Sequence, residues 1–550
     1  MLNPLFKGGP SVPAAAILIL LWTVLTLAGL GIAPLFDYDE ASYAETAVEM
    51  RNSGNWLLPT LNGQPYYDKP AFVYYCMNAF FALFGKNAFA ARLPSALFTL
   101  GTALLFLHVG RRLGRPETGM TASLIYLSML MPALLAHAAI LDAALNFFIA
   151  ASVLSFFLWQ QGGKRSDAFL AMLAAGIAVS VKGPVGMVIP ALVVCLDRLF
   201  ARDLLPFLRR FPWSIGVPAF VLGALPWYAL VTIMYGFGFL GQFVIRENVY
   251  RFLHPLEGHG GGWYYYLAVL IPSALPWIAW LPWWVKQTIA RWREKEGTDE
   301  LSRLGLVWTG AVILLFSLAS TKLPHYISSI YPAIALGIAA VWDRQSPSPA
   351  GTRAASLLML VLCLPLALGL LFLPTYYPHL AHLFRHPRAA ALFSQWVPAS
   401  YGMPVAGALI AVALFLLLRL ITRVRPLVVP TLVFLFGLLV QTSLVWTLAP
   451  FAGDLLQGPI MKIATQIRIA PSAEPVYSLV NRPSISFYSG RPYIDAGRVD
   501  AYERLRKSPS PYLLIAYASQ LRDLSHLPLE IVASEGDYVL LRYIPSVGRR

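Results

Sequence analysis

Charge is scarce in this chain: only 13% of its 550 residues are Asp, Glu, Lys or Arg, against 57% hydrophobic. That excludes a single soluble core, because ordinary soluble domains carry roughly twice that share of charge. Cysteine is scarcer still. Cys76, Cys195 and Cys363 all lie in apolar surroundings, which argues against both a disulfide framework and a cysteine metal cluster. No small-residue cleavage pattern follows the first apolar run, at 12–33 behind Lys7, so it reads as a retained span rather than a signal peptide. No internal repeat is evident in the apolar part.

What the chain has instead is hydrocarbon in membrane-sized lengths. Apolar stretches of roughly 20 residues, each able to cross a ~30 Å hydrocarbon layer, recur to residue 449 and read as about thirteen transmembrane helices. The net charge of +15 sorts by side. Arg111, Arg112 and Arg115, then Lys164 and Arg165, then Arg198, Arg202, Arg209 and Arg210, and finally Arg419, Arg423 and Arg425 fall on alternate connections, on the side of Lys7. The positive-inside rule makes that side cytoplasmic, so the charge reports topology and not a nucleic-acid partner. The opposite, outer face receives residues 36–70, Asp142, Lys182-Gly183-Pro184, the loop 236–262, Lys322, the loop of Arg385 and Arg388, and everything after Ala449.

The run AFVYYCMNAFFALF at 71–84 is too short to span comfortably and is expected to lie in the interface or re-enter it. Near residue 453 the pattern changes. LLQGPIMKIATQI has helical spacing, and PVYSLV, SISFY, YLLIAY and YVLLRYI then alternate with turn signals. The expected architecture is therefore a polytopic α-helical membrane domain over 1–450 and a soluble α/β domain over 451–550.

The outer face carries the chemistry. In FDYDEASYAETAVEMRNSG, Asp37 or Asp39 is placed to cap a helix, Glu40 sits in its first turn, and Gly54 lies just past its end. Asp39 and Tyr43 share one helix face, although acids at a helix N-terminus are also stabilising in their own right. Lys69 stands before Pro70 where the chain re-enters apolar territory. An ammonium there needs an anion: Asp68, Glu45 or a ligand phosphate. Asp142 is isolated at the mouth of its helix and can pair with Lys182. The loop RENVYRFLHPLEGHGGGWYYY gathers Arg246, Glu247, Arg251, His254, Glu257 and His259. Asp68, His254 and His259 are compatible with a structural zinc but have no fixed ligand spacing, so an ordinary loop and no catalytic metal is the expectation. Lys322 and Tyr326 are four apart in STKLPHYISS. Carboxylates, isolated cations and tyrosines collected at one bilayer surface suit a lipid-linked phosphate meeting a polar substrate.

In order along the chain, D-E-x-x-Y-A-E at 39–45, N-G-x-x-Y-x-x-K-P at 62–70, L-D at 141–142, K-G at 182–183, R-F at 251–252 and K-L-P-x-Y at 322–326 resemble the ArnT and protein O-mannosyltransferase group of GT-C glycosyltransferases. The ArnT-like aminoarabinose branch is the most similar. The resemblance implies a GT-C fold of thirteen helices with a periplasmic α/β domain, in the bacterial inner membrane. It also implies inverting transfer of 4-amino-4-deoxy-L-arabinose from undecaprenyl phosphate to a lipid A phosphate, which confers polymyxin resistance, by a monomer that needs no cofactor. Lys69, Arg251 and Tyr326 would hold the carrier phosphate. Asp39 and Asp142, with Lys69, would be catalytic, and Glu40, Tyr43, Tyr66, Lys182 and Lys322 would bind substrate. Members of this branch often carry arginine where this chain has Ser42, which bears on the sugar or acceptor rather than on the reaction class.

Two alternatives remain at this level. A hydroxyl acceptor on a glycan or protein would make a carboxylate general base necessary, with Asp39 the candidate. A lipid-linked sugar transporter would place its charges near the bilayer midplane, often in paired repeats, whereas here they cluster at outer helix ends.

Overall fold

The structure, a computed structural model, describes residues 12–255, 258–294, 299–379, 402–497, 505 and 508–545. Lys7, Glu257, Arg385 and Arg388 lie outside them.

Among the described residues seven helices are long and apolar enough to cross a membrane, and two further pairs, bent by 70° and 113°, raise the number to nine. The apolar runs of the sequence suggest thirteen. The difference lies in elements such as Ile330–Arg344, which has 15 residues, nearly all buried against other helices. A helix surrounded by protein need not match the hydrocarbon thickness. Burial orders the bundle: in Asp142–Gly162 83% of the apolar window is covered by protein, in Trp213–Tyr235 only 22%. The first is a central helix and the second faces outward.

Helices surrounded by hydrocarbon gain little from apolar burial, so close backbone approach must supply their packing. Arg165–Lys182 and Trp213–Tyr235 meet at Gly176 and Gly223. A Cβ on Gly176 would lie 2.4 Å from the Phe220 carbonyl oxygen, and one on Gly223 2.7 Å from that of Leu173. The end of the bundle holding the arginine clusters is tied by ion pairs, Arg115–Asp299 at 2.6 Å, Arg344–Asp299 at 2.7 Å and Arg112–Asp167 at 2.9 Å.

At the opposite end the chain forms helix Asp39–Ser53, a small hairpin and the apolar helix Phe72–Phe84. The first helix ends where expected, at Gly54 with φ 68°. It has no side-chain cap at its start, because the Asp37 carboxylate is engaged elsewhere. The hairpin pairs Thr60–Leu61 (β1) with Gln64–Pro65 (β2) through Asn62 and Gly63, both at positive φ. Asn-Gly is the residue pair such a two-residue turn favours. Glu49 fastens the turn from the helix, accepting from Asn62 N at 2.5 Å and Gly63 N at 3.1 Å.

After helices Ala449–Leu456 and Gly458–Ile469 comes a five-stranded sheet. Its strands are Val476–Ser478 (β3), Ile494–Asp495 (β4), Tyr512–Tyr517 (β5), Leu529–Glu535 (β6) and Tyr538–Tyr543 (β7), in the order β4-β3-β5-β7-β6. β3 is parallel to β4 and β5, and β7 is antiparallel to β5 and β6. SISFY, grouped with the strand-like runs, is instead the helix Ser484–Ser489, whose first turn follows Pro483. This domain sits on the bundle: Phe487 packs 6.3 Å from Phe81, and the Lys86 ammonium lies 4.7 Å over the Phe487 ring.

Candidate functional site

Two of the elements that bring polar residues into the apolar bundle do so by local backbone chemistry. The Asn-Gly hairpin returns the chain so that Tyr66, Asp68 and Lys69 follow it into a cavity of about 950 Å³. Helix Arg165–Lys182 stops at Gly183, where φ is 78° and a Cβ would stand 2.6 Å from the Phe243 ring, so that no side chain fits. Lys182 is thereby held at the cavity wall.

The cavity collects most of the residues singled out from the sequence. Asp39, Tyr43, Tyr66, Asp68, Lys69, Asp142, Lys182, Arg251, His259 and Tyr326 all line it. Lys182 Nζ pairs with Asp142 Oδ1 at 2.7 Å and lies 5.3 Å over the Tyr326 ring. Arg251 pairs with Glu247 at 2.9 Å and donates to Tyr326 Oη at 3.4 Å. Lys69 donates to the carbonyl of Asp68 at 3.0 Å, and among the described residues it has no carboxylate within ion-pair distance. Burial pushes its ammonium below the ordinary lysine range, Asp68 opposes that, and Lys182 and Arg251 add to it. Asp39 is exposed to the cavity, and its carboxylate has no partner among the described residues.

Arg251 is delivered by a π-helical segment, Gly241–Tyr250, whose wider turn places Val244, Glu247, Asn248 and Val249 along the wall. Apolar side chains, Ile140, Leu145, Val185, Val188, Leu315 and Phe316, also line the cavity.

Several expectations are corrected. Glu40 is not at the cavity. It is buried in a two-bond pair with Arg92, at 2.8 Å from both Nε and Nη2, and also accepts from Ala139 N and Phe36 N. Arg92 spends its other donors on the carbonyls of Leu30, Ala33 and Pro34, so the pair is a fully satisfied structural tie. Lys322 is also withdrawn. Its ammonium caps the end of helix Glu300–Leu318, donating to Ser317 O at 2.9 Å and Ala319 O at 2.5 Å. Ser42 is wholly buried, bonds back to Tyr38 O at 2.7 Å, and is not among the residues lining the cavity. The zinc trio does not assemble: His254 is exposed and its ring lies 4.4 Å from that of Tyr250, tilted by 36°, and among the described residues no group of three or more His, Cys, Asp or Glu side chains is arranged to hold a metal.

Polar lining residues that were not anticipated include Tyr38, Asn481 and His325. Tyr38 precedes Asp39, and Asn481 arrives from the C-terminal domain. His325 occupies the variable position of K-L-P-x-Y beside Tyr326. Burial holds its imidazole below the usual histidine range, Asp142 and Asp39 oppose that, and Lys182 and Lys69 add to it. A titratable residue flanking Tyr326 was the available signal.

A helical bundle with a cavity at the end that carries the α/β domain defines a multi-pass membrane protein of the GT-C fold. The fold is similar to that of ArnT. The structure matches that of ArnT from Cupriavidus metallidurans bound to undecaprenyl phosphate with a TM-score of 0.81 at 22% identity, over 97% of this chain and 99% of that one. The family model of dolichyl-phosphate-mannose-protein mannosyltransferases matches residues 16–236. Undecaprenyl phosphate-alpha-4-amino-4-deoxy-L-arabinose arabinosyl transferases of Shewanella sediminis and Serratia proteamaculans are 33% and 32% identical to it over 331 residues, 59% of this chain in each case. The match spans about three-fifths of the length of these curated relatives. The resemblance drawn from the motifs is borne out in the fold.

Proposed function

We propose that this chain transfers a sugar, 4-amino-4-deoxy-L-arabinose, from undecaprenyl phosphate to a lipid A phosphate with inversion, at the periplasmic face of a bacterial inner membrane. In this reading residues 1–450 form the catalytic membrane domain, 451–550 a periplasmic domain, the monomer suffices, and the modification lowers sensitivity to polymyxin. The observation that carries it is the convergence of Lys69, Arg251 and Tyr326 on one cavity whose lining also includes apolar side chains.

A polyprenyl phosphate anchors its first isoprene units against hydrocarbon and its phosphate against fixed cations. Arg251 offers a planar fork, Lys69 a point charge and Tyr326 a hydroxyl donor. As the acceptor phosphate oxygen bonds to the anomeric carbon from the opposite side, the bond to the carrier oxygen breaks. The electron pair leaves on the carrier phosphate, where these three groups meet the growing charge. Preorganised donors of this kind contribute about 3 kcal/mol each in comparable sites. No proton need move, and no metal is called for. Asp39, uncommitted in the wall, would bind the sugar's ammonium, while Asp142 is already neutralised by Lys182.

A hydroxyl acceptor is the second reading, and His325 favours it. Burial keeps the imidazole neutral and able to accept a proton in the same chamber. Purified protein is to be mixed with sugar-bearing undecaprenyl phosphate and lipid A. Mass spectrometry should find lipid A heavier by one aminopentose on a phosphate. Consumption of the donor with no glycosylated product, or failure to bind undecaprenyl phosphate at all, overturns the assignment.

A further inference from the structure

Among the described residues of the C-terminal domain, Asn481 is the one that lines the cavity, and its side chain is held by Tyr493. Asn481 Oδ1 accepts from Tyr493 Oη at 3.0 Å, and the same phenol oxygen accepts from Arg482 N at 3.1 Å. The carboxamide oxygen is thus occupied. Its NH2 has no partner among the described residues, so a donor is left at the cavity wall.

Three residues on, helix Ser484–Ser489 is clamped to the membrane domain. Ser484 N and Oγ donate to the two oxygens of Asp37 at 3.0 and 2.5 Å. Ser486 Oγ bonds Asn62 Oδ1 at 2.5 Å, and Leu35 N donates to Tyr488 Oη at 2.7 Å. Asp37 is followed directly by Tyr38 and Asp39, both in the wall. One clamp therefore sets the spacing between the Asn481 amide and the uncommitted Asp39 carboxylate.

We propose that Asn481 is a specificity-determining residue whose amide donates to a hydroxyl oxygen of a carbohydrate held beside Asp39, so that the soluble domain completes the sugar-binding wall. This rests on the sugar-transfer reading above. The carbohydrate is either the sugar on the carrier or the sugar of the acceptor, and affinities separate the two.

The full chain in nanodiscs is to be titrated with sugar-free undecaprenyl phosphate, with undecaprenyl phosphate bearing 4-amino-4-deoxy-L-arabinose, and with lipid A. Asn481→Ala should weaken one of the two sugar-bearing ligands about five- to tenfold, the worth of one hydrogen bond, and leave the sugar-free carrier unchanged. Loss on the loaded carrier assigns the donor sugar, and loss on lipid A assigns the acceptor. Ser484→Ala, which removes one strand of the clamp, should shift the same ligand in the same direction by less. Three unchanged affinities in Asn481→Ala, three weakened together, or a shift in Ser484→Ala alone would overturn the proposal. Absence of binding of sugar-free carrier to the unaltered protein would instead strike the functional reading itself.

Discussion

Asp142 and Lys182, 40 positions apart and on different helices, form a 2.7 Å ion pair at the cavity wall, and the lysine lies over the ring of Tyr326. Breaking such a pair from one side strands a buried charge, whereas removing both charges does not. Lys182→Met should therefore destabilise the protein by about 3 kcal/mol or more, and Asp142→Asn/Lys182→Met should recover much of that loss. Thermal unfolding in detergent measures both, and equal losses in single and double variants would contradict the pairing.

Lys69→Ala should lower turnover by about 10²–10³-fold, the cost of one preorganised donor. Arg251→Lys should lose less than that, because it keeps the charge opposite Glu247 but gives up the planar fork. Single-turnover rates with saturating donor test the pair, and full activity in either variant contradicts the phosphate-site reading.

Carrier binding should weaken in alkali earlier than an ordinary lysine predicts. The Lys69 ammonium is held below the ordinary lysine range, chiefly by burial, so its attraction for phosphate is complete at low pH and is lost as pH rises through that lowered value. Lys69→Arg should flatten the profile at the high end. Undecaprenyl phosphate titrations across alkaline pH read this directly.

Glu40→Gln should lower the melting temperature while leaving the KM for donor and acceptor unchanged. Its carboxylate answers Arg92, and removing it leaves a buried guanidinium without its anion. A change in KM at unaltered stability would return Glu40 to the substrate site.

Glu45 is pushed up to about 7 by burial, with Lys86 at 3.2 Å opposing. Because the folded state holds this proton more tightly than the unfolded chain, the contribution to stability is complete below about pH 4.5 and is lost as pH rises toward 7. Glu45→Gln should remove that slope. Denaturation midpoints at pH 5 and pH 8 should converge in the variant and differ in the parent protein.

The cations Lys69 and Arg251 were legible because a lone charge is conspicuous against hydrocarbon and must have a reason. The same conspicuousness misled at Glu40 and Lys322. Scarcity marks every polar residue in an apolar chain and cannot say whether its partner is a substrate, a helix end or another side chain. Asn481 read only as part of an Asn-Arg-Pro turn. What gives it a place in the cavity is the clamp between Asp37 and Ser484, 447 positions apart. SISFY was misread for a related reason: five residues carry too little periodicity to separate strand from helix, and docking on the bundle decides.

Composition by itself determined that this chain crosses membranes, that its unusual polar residues gather toward one end of the bundle, and that its C-terminal part turns to an α/β pattern. Those properties follow from the transfer of apolar surface out of water, which each segment obeys on its own. Which polar groups line the cavity was decided only by tertiary structure. Glu40 and Asp39 are adjacent in sequence and equally acidic, yet one is spent on Arg92 and the other is open to the cavity, because pairing depends on distances between helices that no local pattern contains.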